Sequence, residues 1–333
     1  MSQTIRIGII GCGGFAGVHA RRLRTIPDVE VVGLADSNLD AIKNFQEKWF
    51  ADVPSKPQSF DNDAAMLEAT RPDAVIIVTP HSLHFEQARK ALNFGCHVLV
   101  EKPMVTNSRD AKELSELVGT TKKVLVVGYN TPCTHPVRKI RELVRSGELG
   151  ELQLVSAYIS QDWLRYTKDT WRLEPNISGG GFIMDSGAHL LATLLFCVEQ
   201  PIKNVYAETE NLGQNVEING TFVACFEKNV YANFSFAGNC SSDGGHIAFF
   251  FENGKIESDG WSGSFAKIFR RSQVEVEEIT NTPDATPTHN FIYSILGKEE
   301  PFSTVALGNR LANFMTALYE SARSKKSIDL VTI

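Results

Sequence analysis

Between Ile5 and Gly128 the chain alternates short, almost wholly apolar runs with longer stretches in which apolar residues recur every three or four positions. The short runs, Ile5–Ile10, Val29–Ala35, Ala74–Val78, His97–Val100 and Val124–Gly128, read as strands buried on both faces. The longer stretches predict helices after Gly13 and over about Leu39–Trp49, Asp61–Ala69, His84–Phe94 and Ser108–Val118. Strand and helix in strict turn predict parallel strands joined by crossover helices, a doubly wound α/β sheet of the Rossmann type.

After Gly128 the pattern changes. A helix at about Pro136–Ser146 leads into a strand at Leu152–Ile159, then into a polar, aromatic stretch that ends at Gly179–Gly181, then into an apolar helix over Phe182–Cys197. Alternating segments follow at Ile202–Glu210, Glu217–Phe226, Val230–Ala237, His246–Phe251 and Lys255–Ser258. Turn residues such as Asn229 and Asn253-Gly254 separate them, which predicts hairpins in a mainly antiparallel open sheet. Two helical stretches, near Asn290–Leu296 and Val305–Ser324, close the chain. The expectation is an α/β protein of two domains, a Rossmann domain over 1–128 and a second α/β domain over 129–333.

A length of 333 residues is enough for two cores. Hydrophobic residues make up 43% and charged residues 22%, and no apolar run approaches the roughly 20 residues of a membrane span, so a soluble chain is expected. The N-terminus reads at once as strand rather than leader, and the expected location is the cytoplasm. A net charge of −6 without a Lys/Arg cluster argues against nucleic acid, and Arg21–Arg24 and Arg138–Arg145 read as solvated helix faces. Cys12, Cys96, Cys133, Cys197, Cys225 and Cys240 show neither paired nor metal-ligand spacing. That fits a reducing compartment, and no metal site is expected.

Gly11-Cys12-Gly13-Gly14-Phe15-Ala16 follows the first strand and opens a helix, which is the context a G-x-G-x-x-G/A dinucleotide fingerprint requires. Gly11 permits the turn, Gly13 lets the backbone approach a pyrophosphate, and Ala16 lets the helix pack on the strand. Asp36 ends the second strand, where a carboxylate can accept from ribose hydroxyls, with Ser37 beside it; the alternative is that Asp36 caps the next helix. A carboxylate there repels a 2′-phosphate, so NAD is expected, with NADP left open.

Lys102, in Glu101-Lys102-Pro103, projects from a strand's carboxyl end, the edge where such sheets bind ligands. It can stabilise charge on the oxygen of a reacting carbinol or carbonyl, or it can be a strand-end lysine paired with Glu101. Asp185 and His189 lie four apart on an otherwise apolar helix. They are either an acid/base pair or a satisfied core pair. Thr79-Pro80-His81-Ser82-Leu83-His84 leaves another strand's carboxyl end and should reach the nicotinamide half of a cofactor, unless His84 is simply polar in a helix's first turn.

Taken in order, these elements resemble the glucose-fructose oxidoreductase, inositol dehydrogenase and MocA (Gfo/Idh/MocA) oxidoreductases over essentially the full length. To them are added Gly128-Tyr129-Asn130, Trp171-Arg172, the Gly179–Gly181 triplet and the closing Tyr319-Glu320-Ser321-Ala322. The resemblance implies a Rossmann domain followed by a substrate-binding domain whose open sheet forms a homodimer or homotetramer face. It implies Lys102 on the reacting hydroxyl, His189 as acid/base, and Asp185 holding substrate or imidazole. It puts Asn130, Trp171 and Arg172 near substrate, and Thr79, Pro80, His81, His84, Glu101 and Lys102 itself beside the cofactor. One departure is that Thr131 follows Asn130 where many members carry an Arg nearby. The expected activity is hydride exchange between NAD and a sugar, cyclitol or related polyol. The rivals are an NAD-dependent glycoside hydrolase with no net redox change and a non-catalytic dinucleotide sensor.

Overall fold

A computed structural model describes residues 4–271, 273–283 and 286–330. The chain forms two compact units. The first holds the chain to Val105, Arg109–Gly128 and the returning segment Thr286–Ala306; the second holds Thr106–Ser108 and the rest.

Six parallel strands make the first sheet: β1 (Ile5–Ile10), β2 (Val29–Ala35), β3 (Gln58–Phe60), β4 (Ala74–Ile77), β5 (His97–Val100) and β6 (Leu125–Val127). Their order is β3-β2-β1-β4-β5-β6, so the winding reverses between β1 and β4 and opens a crevice at the strands' carboxyl ends. Helices α1 (Ala16–Leu23), α2 (Leu39–Trp49), α3 (Asp63–Thr70), α4 (His84–Asn93) and α5 (Ser108–Thr121) make the crossovers. The apolar runs behave as their composition demands: Ile7, Ile9, Ile76, Val98 and Leu99 are fully buried.

In the second unit α6 (His135–Ser146) precedes β7 (Leu152–Ser160), the one-turn helices α7 (Trp163–Tyr166) and α8 (Pro175–Ser178), and α9 (Ala188–Cys197). Then come β8 (Ile202–Glu210), β9 (Asn219–Phe226), β10 (Tyr231–Ala237), β11 (Gly244–Phe251), β12 (Gly254–Ser258), β13 (Phe265–Arg270) and β14 (Glu277–Thr280). After α10 (Pro287–Ile295) and α11 (Val305–Ser324), β15 (Ile328–Asp329) completes a nine-stranded sheet ordered β14-β13-β12-β11-β7-β10-β9-β8-β15. All its pairings are antiparallel except β7 with β10. Phe222 and Phe234 stack at 4.9 Å on the inner face, and Phe314 of α11 meets Phe222 edge-on at 5.2 Å.

Three features depart from the sequence reading. β3, β13, β14 and β15 were not foreseen. The segment 286–306, assigned to the second domain, belongs to the first: α10 lays Phe291 and Ile292 into that core, each burial contributing about 1.5–3 kcal/mol. Finally, Pro175–Cys197 is by length and composition apolar enough to cross a bilayer, although the sequence reading saw no such run; 89% of its most apolar window is buried in the protein. A helix apolar all round is a core helix when it is so enclosed.

Candidate active site

In the first unit the site begins where β1 ends. Gly11 has φ +93°, and a Cβ there would sit 2.5 Å from the Val78 carbonyl, so only glycine makes the turn. Gly13 and Gly14 are exposed, with nothing within 4 Å of where a Cβ would lie. Helix α1 has no side-chain cap at Phe15 and no acidic residue in its first turn. The first amides of a helix have no partner inside it, so this open loop and uncapped N-terminus fit a pyrophosphate. Burial and then the Asp36 charge push the Cys12 thiol up to about 12, which disfavours the thiolate.

Asp36 holds the loop. Its Oδ2 accepts the Cys12 N–H at 2.8 Å and its Oδ1 accepts the Asn38 N–H at 2.9 Å. The helix cap is Asn38, whose side chain accepts from Asp40 and Ala41, so Asp36 does not cap α2. Exposed Ser37 lies beside it. A carboxylate oxygen accepts more than one donor, so Asp36 keeps room for ribose hydroxyls.

Thr79 and Pro80 leave the carboxyl end of β4, next to β1 in the sheet, and the Thr79 hydroxyl donates to Gln87 Oε1 at 2.5 Å. His81 is buried beside His84, ring centroids 5.8 Å apart. His84 is fully buried, with Nδ1 2.8 Å from the Pro103 carbonyl and Nε2 2.9 Å from the Thr79 carbonyl. Burial pushes its pKa below the ordinary value against the pull of those carbonyls. The neutral ring donates its one N–H to one of these two carbonyls, so it is taken up by backbone where the resemblance had it facing the cofactor. Glu101 and Lys102 follow β5, and the Lys102–Pro103 peptide is cis. Lys102 is half-buried, and its N–H donates to Glu101 Oε2 at 3.2 Å.

In the second unit Asp185 is the hub. Its Oδ2 accepts from Trp163 Nε1 at 2.8 Å and Arg172 Nε at 2.9 Å, while the Arg172 guanidinium stands 4.5 Å over the Trp171 ring. Trp171 and Arg172, in the sequence reading neighbours of substrate, are thus organised around this carboxylate, and the buried Trp163 is fastened to it as well. Residues 183–187 form a π-helical turn, not the opening of a regular α-helix, before α9 begins. Such turns are rare and frequent at functional sites. His189, half-buried in the first turn of α9, meets the buried Tyr129 ring edge-on at 6.2 Å. Asn130 opens the turn Thr131–Cys133, which packs on α9.

Sequence reasoning missed Glu217, the residue that seats this π-turn. Its carboxyl, 5% exposed, accepts from the Gly181 N–H at 2.7 Å, the Ile183 N–H at 3.0 Å and the Tyr319 hydroxyl at 2.9 Å. Gly181 is glycine because the chain there passes against Glu217, whose carbonyl would lie 1.9 Å from a Cβ. Burial pushes the Glu217 carboxyl above its ordinary range, outweighing those donors. A raised folded pKa contributes stability below the unfolded value that is lost as pH rises through the folded one. Relative to Glu217→Gln, the wild-type protein is therefore expected to lose several degrees of Tm between pH 5 and pH 8. Thermal unfolding at both values checks this, and a difference independent of pH would contradict it.

The description "Oxidoreductase family, NAD-binding Rossmann fold" belongs to the family model that matches residues 5–129, and the GFO/IDH/MocA C-terminal domain matches 137–257. D-glucoside 3-dehydrogenase of Escherichia coli (strain K12) is 31% identical over 62% of this chain and 58% of its own length. Glucose-6-phosphate 3-dehydrogenase of Bacillus subtilis (strain 168) is 30% identical over 58% and 54%. The chain thus matches little more than half the length of these curated relatives. Among solved structures, the WlbA dehydrogenase from Bordetella pertussis, in complex with NADH and UDP-GlcNAcA, has a TM-score of 0.83 at 22% identity, over 99% of this chain and 100% of that one.

Proposed function

The chain belongs to the Gfo/Idh/MocA oxidoreductase family, and from that premise we propose that it is an NAD-dependent dehydrogenase acting on a secondary hydroxyl of a sugar, cyclitol or related polyol. The observation that carries the proposal is in the first sheet. The open glycine loop ends β1 and Lys102 follows β5, with Thr79-Pro80 of β4 between, so a phosphate cradle and a cation share one carboxyl edge. The nicotinamide, when bound, accepts or returns hydride. The protein's own part is to stabilise alkoxide charge through Lys102 and to take the hydroxyl proton on His189. Asp185, held by Trp163 and Arg172, orients substrate or imidazole, with Asn130 and Trp171 as further polyol contacts.

The test is formation of reduced nicotinamide with NAD or NADP against inositols, aldoses, aminosugars and sugar phosphates. Turnover of one ring polyol supports the reading. Activity on glycosides without added cofactor, or cofactor binding with no turnover at all, would replace it by the hydrolase or the sensor. Because Asp36 spends its charge beside the ribose position, Asp36→Ala is expected to weaken NAD binding about 10- to 100-fold and to narrow the gap to NADP. Fluorescence titration of both cofactors reads this, and tighter NADP than NAD binding by the wild-type protein would refute the preference.

The outer face of the second sheet supports self-association. Tyr158, Tyr206, Val223, Tyr231 and Phe250 stand exposed on five neighbouring strands, a patch that a second copy could cover to give a homodimer or homotetramer. Light scattering measures the mass in solution. All six cysteines are free, in keeping with the cytoplasm, which fractionation would test.

A further inference from the structure

Helix α1 turns an apolar stripe, Ala16, Ala20 and Leu23, toward the first core, and His19 lies on that stripe with no exposed surface. Both ring nitrogens have polar partners: Nε2 is 2.9 Å from Glu101 Oε1 and Nδ1 is 2.9 Å from Thr288 Oγ1. A carboxylate only accepts, so Nε2 carries the proton of the first bond. Glu101 is itself buried, 7% exposed, and Gly128 leaves it space, since a Cβ there would come within 2.6 Å of Oε1. Although burial works to raise its carboxyl, the hydrogen bond and charge of His19, with help from Lys102, hold it below the ordinary range. Its other oxygen accepts the Lys102 N–H. Beyond Lys102, the Pro103 carbonyl lies 2.8 Å from Nδ1 of the buried His84. The residues on either side of Lys102 are thus each tied to a buried imidazole, and one imidazole stands on the helix that begins at the glycine loop.

We propose that His19 is a positioning residue for Lys102: through Glu101 it fixes the backbone that presents the lysine, and through Thr288 it draws helix α10 into that support. Without His19 the buried Glu101 Oε1 loses its donor, a state relieved by protonation or by swinging out, and either change releases the turn. The role assigned to Lys102 rests on the dehydrogenase reading; the strut does not.

The test uses His19→Leu, His19→Gln and Thr288→Val in the full chain, with two readouts. The first needs neither substrate nor cofactor. Hydrogen exchange of the Glu101, Lys102 and Met104 amides should rise about tenfold in His19→Leu, return to within about threefold of wild type in His19→Gln, whose amide can still reach Glu101, and rise about two- to fivefold in Thr288→Val. The second is kinetic. In His19→Leu, kcat should fall about 10- to 100-fold while the Kd for NAD changes less than about threefold, with His19→Gln recovering most of the loss. Unchanged exchange at those amides, a rise spread evenly over the first unit, or cofactor affinity falling in step with kcat would overturn the proposal. If His19→Leu does not fold, His19→Gln and Thr288→Val decide it. If the wild-type protein turns over no polyol, the dehydrogenase reading fails while the exchange readout still judges the strut.

Discussion

Lys102→Met is expected to lower kcat/KM by about 10²- to 10³-fold and to leave the Kd for NAD within a few-fold of wild type. Methionine keeps the length and apolar stem of lysine and removes the ammonium, so the loss isolates the charge proposed to meet the substrate oxygen. The backbone there is held independently of the side chain, by Glu101 before it and the Pro103–His84 contact after it, so the fold of the turn should survive the exchange. Steady-state kinetics on the substrate found in the panel, beside a cofactor titration, separate the two effects. A variant that loses NAD binding along with turnover would place Lys102 on the cofactor instead of the substrate.

The second large effect is expected at His189. His189→Ala should lower kcat about 10²- to 10⁴-fold, the range of general acid–base catalysis, again with cofactor binding retained. If both act on one transition state, as proposed, the double variant Lys102→Met/His189→Ala should lose far less than the product of the two single losses. Multiplicative losses would mean that the two residues serve separate steps, and retained activity in His189→Ala would return the Asp185–His189 pair to a structural role.

The Rossmann half was legible because both of its signals are local. Fully buried strands show as unbroken apolar runs, and the glycine loop and Asp36 stand at fixed spacing beside them. β3 was not legible: three residues, Gln58–Phe60, with two exposed, carry no period. β13 and β14 were hidden for a related reason, since charged residues occupy positions such as Lys267, Arg270, Glu277 and Glu278 near the edge of their sheet. The π-turn at 183–187 was read as regular helix because its apolar residues suit either winding.

At the site, residue identities were readable and partnerships were not. Asp185 and Arg172 were each singled out, but only the fold makes one carboxylate oxygen the acceptor of both Arg172 and Trp163. His19 could have been noticed, since a histidine on the stripe Ala16, Ala20, Leu23 needs a polar partner; that the partner includes Thr288, 269 residues away, no periodicity could tell. Glu217 left a weaker trace, a lone carboxylate opening an apolar strand run.

The return of residues 286–306 to the first unit has a consequence for the order of events on the ribosome. The last strand of that sheet ends at Val127, but Phe291 and Ile292 of its core come some 160 residues later. At about 5–20 residues per second of synthesis, the strands of that sheet wait about 10–30 s for this helix. During that interval His19 has no Thr288, and the place of Phe291 and Ile292 in the first core stands empty. Any graft of this nucleotide-binding module onto another enzyme would therefore have to carry two separate pieces of gene.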